Sequence, residues 1–300
     1  MKCARVAVIT RTKNRPILFS RAYRSVSNQT YKDIIWVIVN DGGDRSYVDE
    51  TADIAMSAGL SVQIVHNDIS LGMEAASNIG IHSVNSDYIV IHDDDDSWNS
   101  GFLEKTVNLM DSNLGNSFGG VVTQSMKVVE TIKAKECRFV FQQPFNEWME
   151  FVYLSDMVKS NLFPPISFLF RRKIYDKVGG FNESLPVLGD WDFNLRFLLE
   201  ADVYCIPELL ANYHFRDENA NIDYRNTVVC GVDKHKIFNM VLQNKYLRED
   251  IGSNVIGLGF CMAMARYFNH LDGQISPIYS VLLKLANSRF GRFFIKRIGL

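Results

Sequence analysis

The sequence lacks the marks of several large protein classes. No window holds 18 uninterrupted apolar residues, so no transmembrane helix is expected. The five cysteines, Cys3, Cys137, Cys205, Cys230 and Cys261, form no CxxC or CxxxC pair. An odd number at wide spacing argues against a disulfide framework or a clustered zinc site and points to a reducing cytosol. Net charge is only −2, so nucleic acid is not an expected partner. Met1-Lys2-Cys3-Ala4-Arg5 runs directly into a strand-like segment with no apolar signal region behind it. Internal repeats and low-complexity tracts are missing as well.

What is present is 300 residues, 47% of them apolar, enough for one large domain and an appendage. Apolar β-branched runs at Val6–Thr10, Ile34–Val39, Leu60–Val65 and Tyr88–His92 predict buried strands. Helical patterns separate them: one opened by Pro16, one over about Ser46–Ala58 stopped by Gly59, and a small-residue one over Leu71–Val84. Strict βαβ alternation of this kind predicts an α/β fold, a Rossmann-like, mostly parallel sheet flanked by helices. Beyond residue 100 the pattern changes. A helix over Gly101–Met110 is expected to be capped by Ser100. Strands or a hairpin are expected at Gly119–Thr123 and Met126–Phe141, and Phe145, Trp148, Met149 and Val152 suggest an amphipathic helix. Further strands are expected at Ile166–Phe170, Val203–Ile206 and Leu209–Phe215, with helices at Arg172–Val178 and from Asp190. From about Asn221 the chain reads as helices only.

The most informative stretch is Tyr88-Ile89-Val90-Ile91-His92-Asp93-Asp94-Asp95-Asp96-Ser97-Trp98. Four adjacent acids repel one another, and the expectation is that a cation or a helix N-terminus compensates them. They close a strand at the edge where open α/β sheets bind ligands. Capping would account for one or two, Asp96 among them. Carboxylates at i and i+2 suit Mg²⁺ or Mn²⁺, which share their shell with phosphate oxygens. Asp41, followed by Gly42-Gly43, ends the second strand at the same edge. It reads either as a turn aspartate or as an acceptor for the N–H of a base or a ribose hydroxyl. Thr10-Arg11-Thr12 ends the first strand there. Asp190-Trp191-Asp192 opens a helix, where Asp190 is either a cap or a general base and Asp192 the dipole partner.

Together these residues resemble a family 2 (GT-A fold) inverting glycosyltransferase of the kind that builds bacterial surface polysaccharides. The resemblance rests on Val8–Pro16, Val37–Gly43, Asp93–Trp98, Phe170-Arg171-Arg172, Val178–Leu185 and Gly189–Asp192, and it spans about residues 5–216. It implies a catalytic domain over 1–220, with a nucleotide-sugar half to about 100 and an acceptor half beyond, followed by a helical extension over 221–300. It implies a nucleotide-sugar donor, UDP-sugar first, and a divalent cation, Mn²⁺ or Mg²⁺. Asp95 and Asp93 would meet the metal, Thr10, Arg11, Thr12, Asp41, Asp93 and Asp94 the donor, and Asp190 would be the catalytic base. The acceptor would be a glycan or lipid-linked glycan, as in O-antigen or capsule assembly.

Two departures stand out. Ser77 occupies a position that is often arginine in the family, and Gly189 stands where a glutamate usually precedes the catalytic aspartate. His214, in Tyr213-His214-Phe215-Arg216, is either a ligand to metal or diphosphate or a packed strand-end residue. Residues 277–300 hold Lys284, Arg289, Arg292, Lys296 and Arg297 among apolar residues and no acid. This suggests peripheral contact with the inner face of the cytoplasmic membrane, or a helix packed on the protein. Rival readings are a catalytically inactive nucleotide-sugar or carbohydrate-binding module and a haloacid-dehalogenase-type phosphatase.

Overall fold

A computed structural model describes residues 3–133, 136–216 and 232–287. The first four strands are β1 (Cys3–Thr12), β2 (Ile34–Asp41), β3 (Ser61–Asn67) and β4 (Asn85–Ile91). They lie in the order β3-β2-β1-β4, with every pairing parallel. All eight residues of β2 are buried, as expected of a central strand covered on both faces. The connecting helices are α1 (Pro16–Ser27), α2 (Ser46–Ser57) and α3 (Met73–His82). Helix α3 packs tightly because a Cβ at Gly80 would lie 2.8 Å from both Ile9 and Val39.

The second half extends the sheet past β4. Strands β5 (Ser97–Trp98), β6 (Gly120–Lys133), β7 (Glu136–Pro144), β8 (Phe168–Arg171) and β9 (Val203–Arg216) complete the order β3-β2-β1-β4-β8-β6-β9-β5, with β7 on β6. Strand β8 is antiparallel to both β4 and β6, and β9 runs parallel to β6. The two expected strands Val203–Ile206 and Leu209–Phe215 are one strand, whose register shifts where it passes Gln124. The helices here are α4 (Phe102–Asp111), α5 (Leu154–Met157), α6 (Arg172–Val178) and α7 (Gly189–Glu200).

Two local expectations fail. Ser100 does not cap α4; Gly101 is the N-cap, and Gln29 Oε1 accepts the Leu103 N–H from outside the helix. The expected helix around Phe145–Val152 is a series of turns ending in α5. Gln124 claims two of its carbonyls, Glu147 and Met149, and the Asn146 side chain pins the segment to the Ser125 N–H and the Leu162 carbonyl. Phe145, Trp148 and Phe151 are consequently left exposed.

The chain divides into two compact units, Met1–Met240 and Val241–Leu300. Helix α8 (Val232–Ser253) crosses that boundary, and α9 (Leu258–Asn287) follows. Within the second unit, Asp250 caps the start of α9 by accepting the Gly257 and Phe260 N–H groups. No helix among the described residues is long and apolar enough to cross a membrane. Of the basic tail, residues 288–300 lie outside the described residues, as do 221–231 of the expected helical extension.

Candidate active site

Parallel order brings the ends of β1, β2 and β4 to one edge. Beside that edge lies a cavity of about 410 Å³. Arg11, Glu74, Asp93, Lys127, Asn161, Asp190 and His235 supply its charged and polar lining; Phe145, Phe163, Phe181, Tyr213 and Phe215 form much of its wall. Aromatic faces beside a few convergent polar groups suit a ring-bearing polar ligand. A second cavity, of about 370 Å³, is lined by Arg5, Tyr88, Arg171 and Arg172. Its arginines are committed to Asp87, Asp111 and backbone carbonyls, which makes it structural.

The cations that compensate the acid run in the described residues are arginines. Arg11 pairs with Asp93, Arg15 with Asp94 and Asp95, and fully buried Arg216 with Asp95. Arg21 donates to the Asp95 carbonyl at 2.6 Å and to both oxygens of Glu130 at 2.9 and 2.6 Å. Glu130 in turn accepts from Arg216 at 3.1 Å. Burial opposes charge on Asp95, yet Arg216 and Arg15 hold its carboxyl well below the usual carboxylate range. Asp96 is buried and accepts the His214 N–H at 2.8 Å, a structural position; burial and the neighbouring Asp95 push its carboxyl well up.

The remaining expected residues separate by which side of the strand they occupy. Thr10 is fully buried and accepts the Trp36 indole N–H at 2.8 Å. Its side chain therefore serves the core, which corrects its expected donor contact. Thr12 donates to Asp94 at 2.8 Å, and Asp94 is wholly enclosed. The side chains of this pair brace the turn beneath the site and present no surface to a donor, again a correction. Arg11 points the other way, donating to the Met73 carbonyl (3.1 Å) and Ser77 Oγ (3.0 Å) while it pairs with Asp93. A guanidinium thus stands beside Ser77 although residue 77 is not arginine.

Asp41 accepts four hydrogen bonds, from Asn67 (2.9 Å), Ser70 (2.7 Å) and the Leu71 (2.9 Å) and Gly72 (3.0 Å) N–H groups. Burial acts against its charge, but these donors outweigh it and lower its pKa. The tight approach needs glycine at 42: φ is +72°, and a Cβ would lie 2.5 Å from Ser70 N. His214 is buried, with its ring nitrogens on Ser97 Oγ (2.9 Å) and Glu130 (3.2 Å), the packed strand-end alternative.

Asp190 lies at the start of α7, after Leu188 in the left-handed region (φ 66°), a conformation that costs a non-glycine residue about 1–2 kcal/mol. Strain beside a cavity carboxylate fits a position held for function. Its Oδ2 accepts from Asn161 at 2.7 Å, and Asn161 is itself held by Asn194 at 3.0 Å. Burial raises the Asp190 pKa, and nearby Asp93 adds to this against the Trp191 N–H and Arg11. Asp192 is the structural partner: with Arg196 it ties α7 to the carbonyls of Val178 and Gly180. Asn161, Glu74 and Arg21 carried no local sequence signal for the site, and Arg15 and Arg216 lay in motif stretches without being singled out.

Among the described residues no group of three or more His, Cys, Asp and Glu side chains could hold a metal. A hard divalent ion needs only one or two carboxylates when phosphate oxygens complete its shell. Asp93 opens onto the cavity, while Asp95 is paired with Arg15 and Arg216 and does not line it.

A mostly parallel sheet in this order, flanked by helices, matches the GT-A fold. The family model for glycosyl transferase family 2 matches residues 7–179, and the chain belongs to that family; it is a glycosyltransferase. An uncharacterized glycosyltransferase of Bacillus subtilis is 25% identical over 220 residues, covering 72% of this chain and 76% of the relative. Another, from Haemophilus influenzae, is 23% identical over 290 residues, covering 94% and 86%. Among solved structures, S. aureus TarS 1–349 in complex with UDP superposes with a TM-score of 0.56 at 15% identity, over 70% of this chain and 60% of that one. The mannosyltransferase PcManGT from Pyrobaculum calidifontis, in complex with GDP-Man and Mn²⁺, gives 0.57 at 14%, over 99% and 84%. At these identities the structural likeness establishes the fold.

Proposed function

We propose that the enzyme moves a sugar, with inversion, from a nucleotide-sugar to a hydroxyl of a glycan or lipid-linked glycan in bacterial surface polysaccharide assembly. The observation that carries the reading is one cavity lined both by the Arg11–Asp93 pair and by Asp190. The nucleotide lies along the β1–β2–β4 edge, near the loop that Asp41 holds, and its diphosphate lies at Arg11 and Asp93. Asp190 takes the proton of the acceptor hydroxyl as that oxygen bonds to the anomeric carbon. The bond from that carbon to the diphosphate oxygen breaks on the opposite face, so configuration inverts and no covalent enzyme intermediate forms. A raised pKa makes Asp190 a better proton acceptor than an ordinary aspartate, and Asn161 fixes its orientation. Asp93 and Asp95 would hold Mn²⁺ or Mg²⁺, which when bound neutralises the departing diphosphate. UDP and GDP-sugars are donor candidates, because neighbours in the same fold bind UDP, UDP-GlcNAc and GDP-Man.

The same proposal includes peripheral membrane contact through 277–300. It is supported by the exposed Phe260, Tyr267, Phe268 and Ile275 earlier on α9. A thermal-shift panel of UDP-, GDP-, dTDP- and CDP-sugars with and without Mn²⁺ tests the donor reading. One nucleotide class should stabilise the protein, more so with Mn²⁺; no shift with any of them refutes it. Binding with no transfer to any lipid-linked glycan would favour the inactive module instead.

A further inference from the structure

Gly189 leaves a space beside Asp190 that another residue fills. A Cβ at 189 would lie 2.1 Å from Glu74 Oε1 and 2.3 Å from Glu74 Cγ. The glutamate side chain on α3 therefore occupies the volume that a side chain at 189 would take. Glu74 is 6% exposed and lines the cavity with Arg11, Asp93 and Asp190. Its carboxylate accepts a hydrogen bond from its own backbone N–H. Arg11, on the same cavity, has a buried Nε–H with no partner. A buried N–H left in this state calls for an explanation. A carboxylate with acceptor capacity to spare and an N–H needing an acceptor suit a ligand group that both donates and accepts, as a hydroxyl does. Burial, with Asp190 and Asp93 nearby and Arg11 opposing, pushes the Glu74 carboxyl up to about 7.

We infer that Glu74, its side chain filling the space Gly189 leaves, is a specificity-determining residue that takes a hydrogen bond from a hydroxyl of the donor's sugar. The assignment rests on the donor reading above: with the diphosphate at Asp93 and the acceptor at Asp190, the transferred sugar lies between them. Gly189 and Glu74 then act as a complementary pair, and the carboxyl beside Asp190 comes from α3 instead of from the residue preceding Asp190.

Calorimetry with the nucleotide-sugar that binds, and with the matching nucleoside diphosphate, tests this on the full chain. Glu74→Ala should weaken the nucleotide-sugar by at least about 10-fold, the usual range for a hydrogen bond to a charged group, and the nucleoside diphosphate less than about 2-fold. Gly189→Glu alone should also lose the sugar contribution, because the new side chain meets Glu74. The double variant Glu74→Ala/Gly189→Glu should regain it, which a purely structural role for Glu74 would not produce. Equal weakening of both ligands, or no weakening of either, would overturn the assignment while leaving the donor reading intact. Failure of the unmodified protein to bind any nucleotide would overturn both.

Discussion

Arg216 offers the sharpest test of how the acid run is held. It is fully buried and joins Asp95 and Glu130, whose side chains are 12% and 5% exposed. Removing one partner from a buried ion pair costs about 3–5 kcal/mol, because the remaining charge is left uncompensated. The lower end applies to Arg216→Ala. Asp95 keeps Arg15 at 3.4 Å, and Glu130 keeps two N–H groups of Arg21. For a unit of this size about 3 kcal/mol corresponds to a fall in Tm of about 6–12 °C. Arg216→Met, which retains most of the volume, should fall nearly as far if charge is the cause. Arg216→Met with Asp95→Asn should recover part of the loss, since both charges then go together. Mn²⁺ should stabilise Arg216→Ala more than the unmodified protein, because Asp95 no longer has to release that guanidinium. A site held at 100 times its Kd gains about 2.7 kcal/mol. Differential scanning fluorimetry with and without Mn²⁺ reads all of this. A loss below about 0.5 kcal/mol would refute the compensation argument, and an equal Mn²⁺ response in both proteins would refute Asp95 as a metal ligand.

Other outcomes follow from the same geometry. Asn161→Ala removes a donor to the charged form of Asp190, so its pKa should rise. The acidic limb of the transfer pH profile should then move to higher pH, by about 1 unit for one lost hydrogen bond; an unmoved limb contradicts the orienting role. Asp41→Ala should cost about 2 kcal/mol or more by releasing four donors, with faster amide exchange confined to the Asn67–Gly72 loop. Glu74 should make stability fall as pH rises from its unfolded value near 4.5 to about 7, since over that window the unfolded chain has released a proton that the folded one keeps. Glu74→Gln should abolish this decline and be more stable than the unmodified protein at pH 8, by about 3 kcal/mol, while agreeing with it at pH 4. A slope retained in the glutamine variant would assign it elsewhere.

How far the sequence carries can be judged residue by residue. Strands β1, β2 and β4 were readable because burial on both faces demands unbroken apolar runs, and α6 because Gly179 at φ 88° must end it. The carboxylates were found, but their compensation was not. Arg21, Glu130 and Arg216 reach the acid run from α1, β6 and β9, and no local period records a partner that far along the chain. Residues 145–152 misled for a similar reason: their aromatic spacing is helical, while Gln124, from β6, takes the Glu147 and Met149 carbonyls. Thr10 was a missed local signal. Strand alternation places it on the side opposite Arg11, so both could not face one ligand. The missing acid at 189 was visible as an absence; only the fold shows Glu74 in its space.

The central claim is that Asp190 activates an acceptor hydroxyl opposite a nucleotide-sugar donor. The most direct measurement compares Asp190→Asn with the unmodified enzyme, following donor affinity by calorimetry and sugar transfer by nucleoside diphosphate release with a lipid-linked glycan acceptor. The account predicts donor affinity within about 3-fold and a rate lower by about 10²-fold or more. Transfer at an undiminished rate in Asp190→Asn would contradict it.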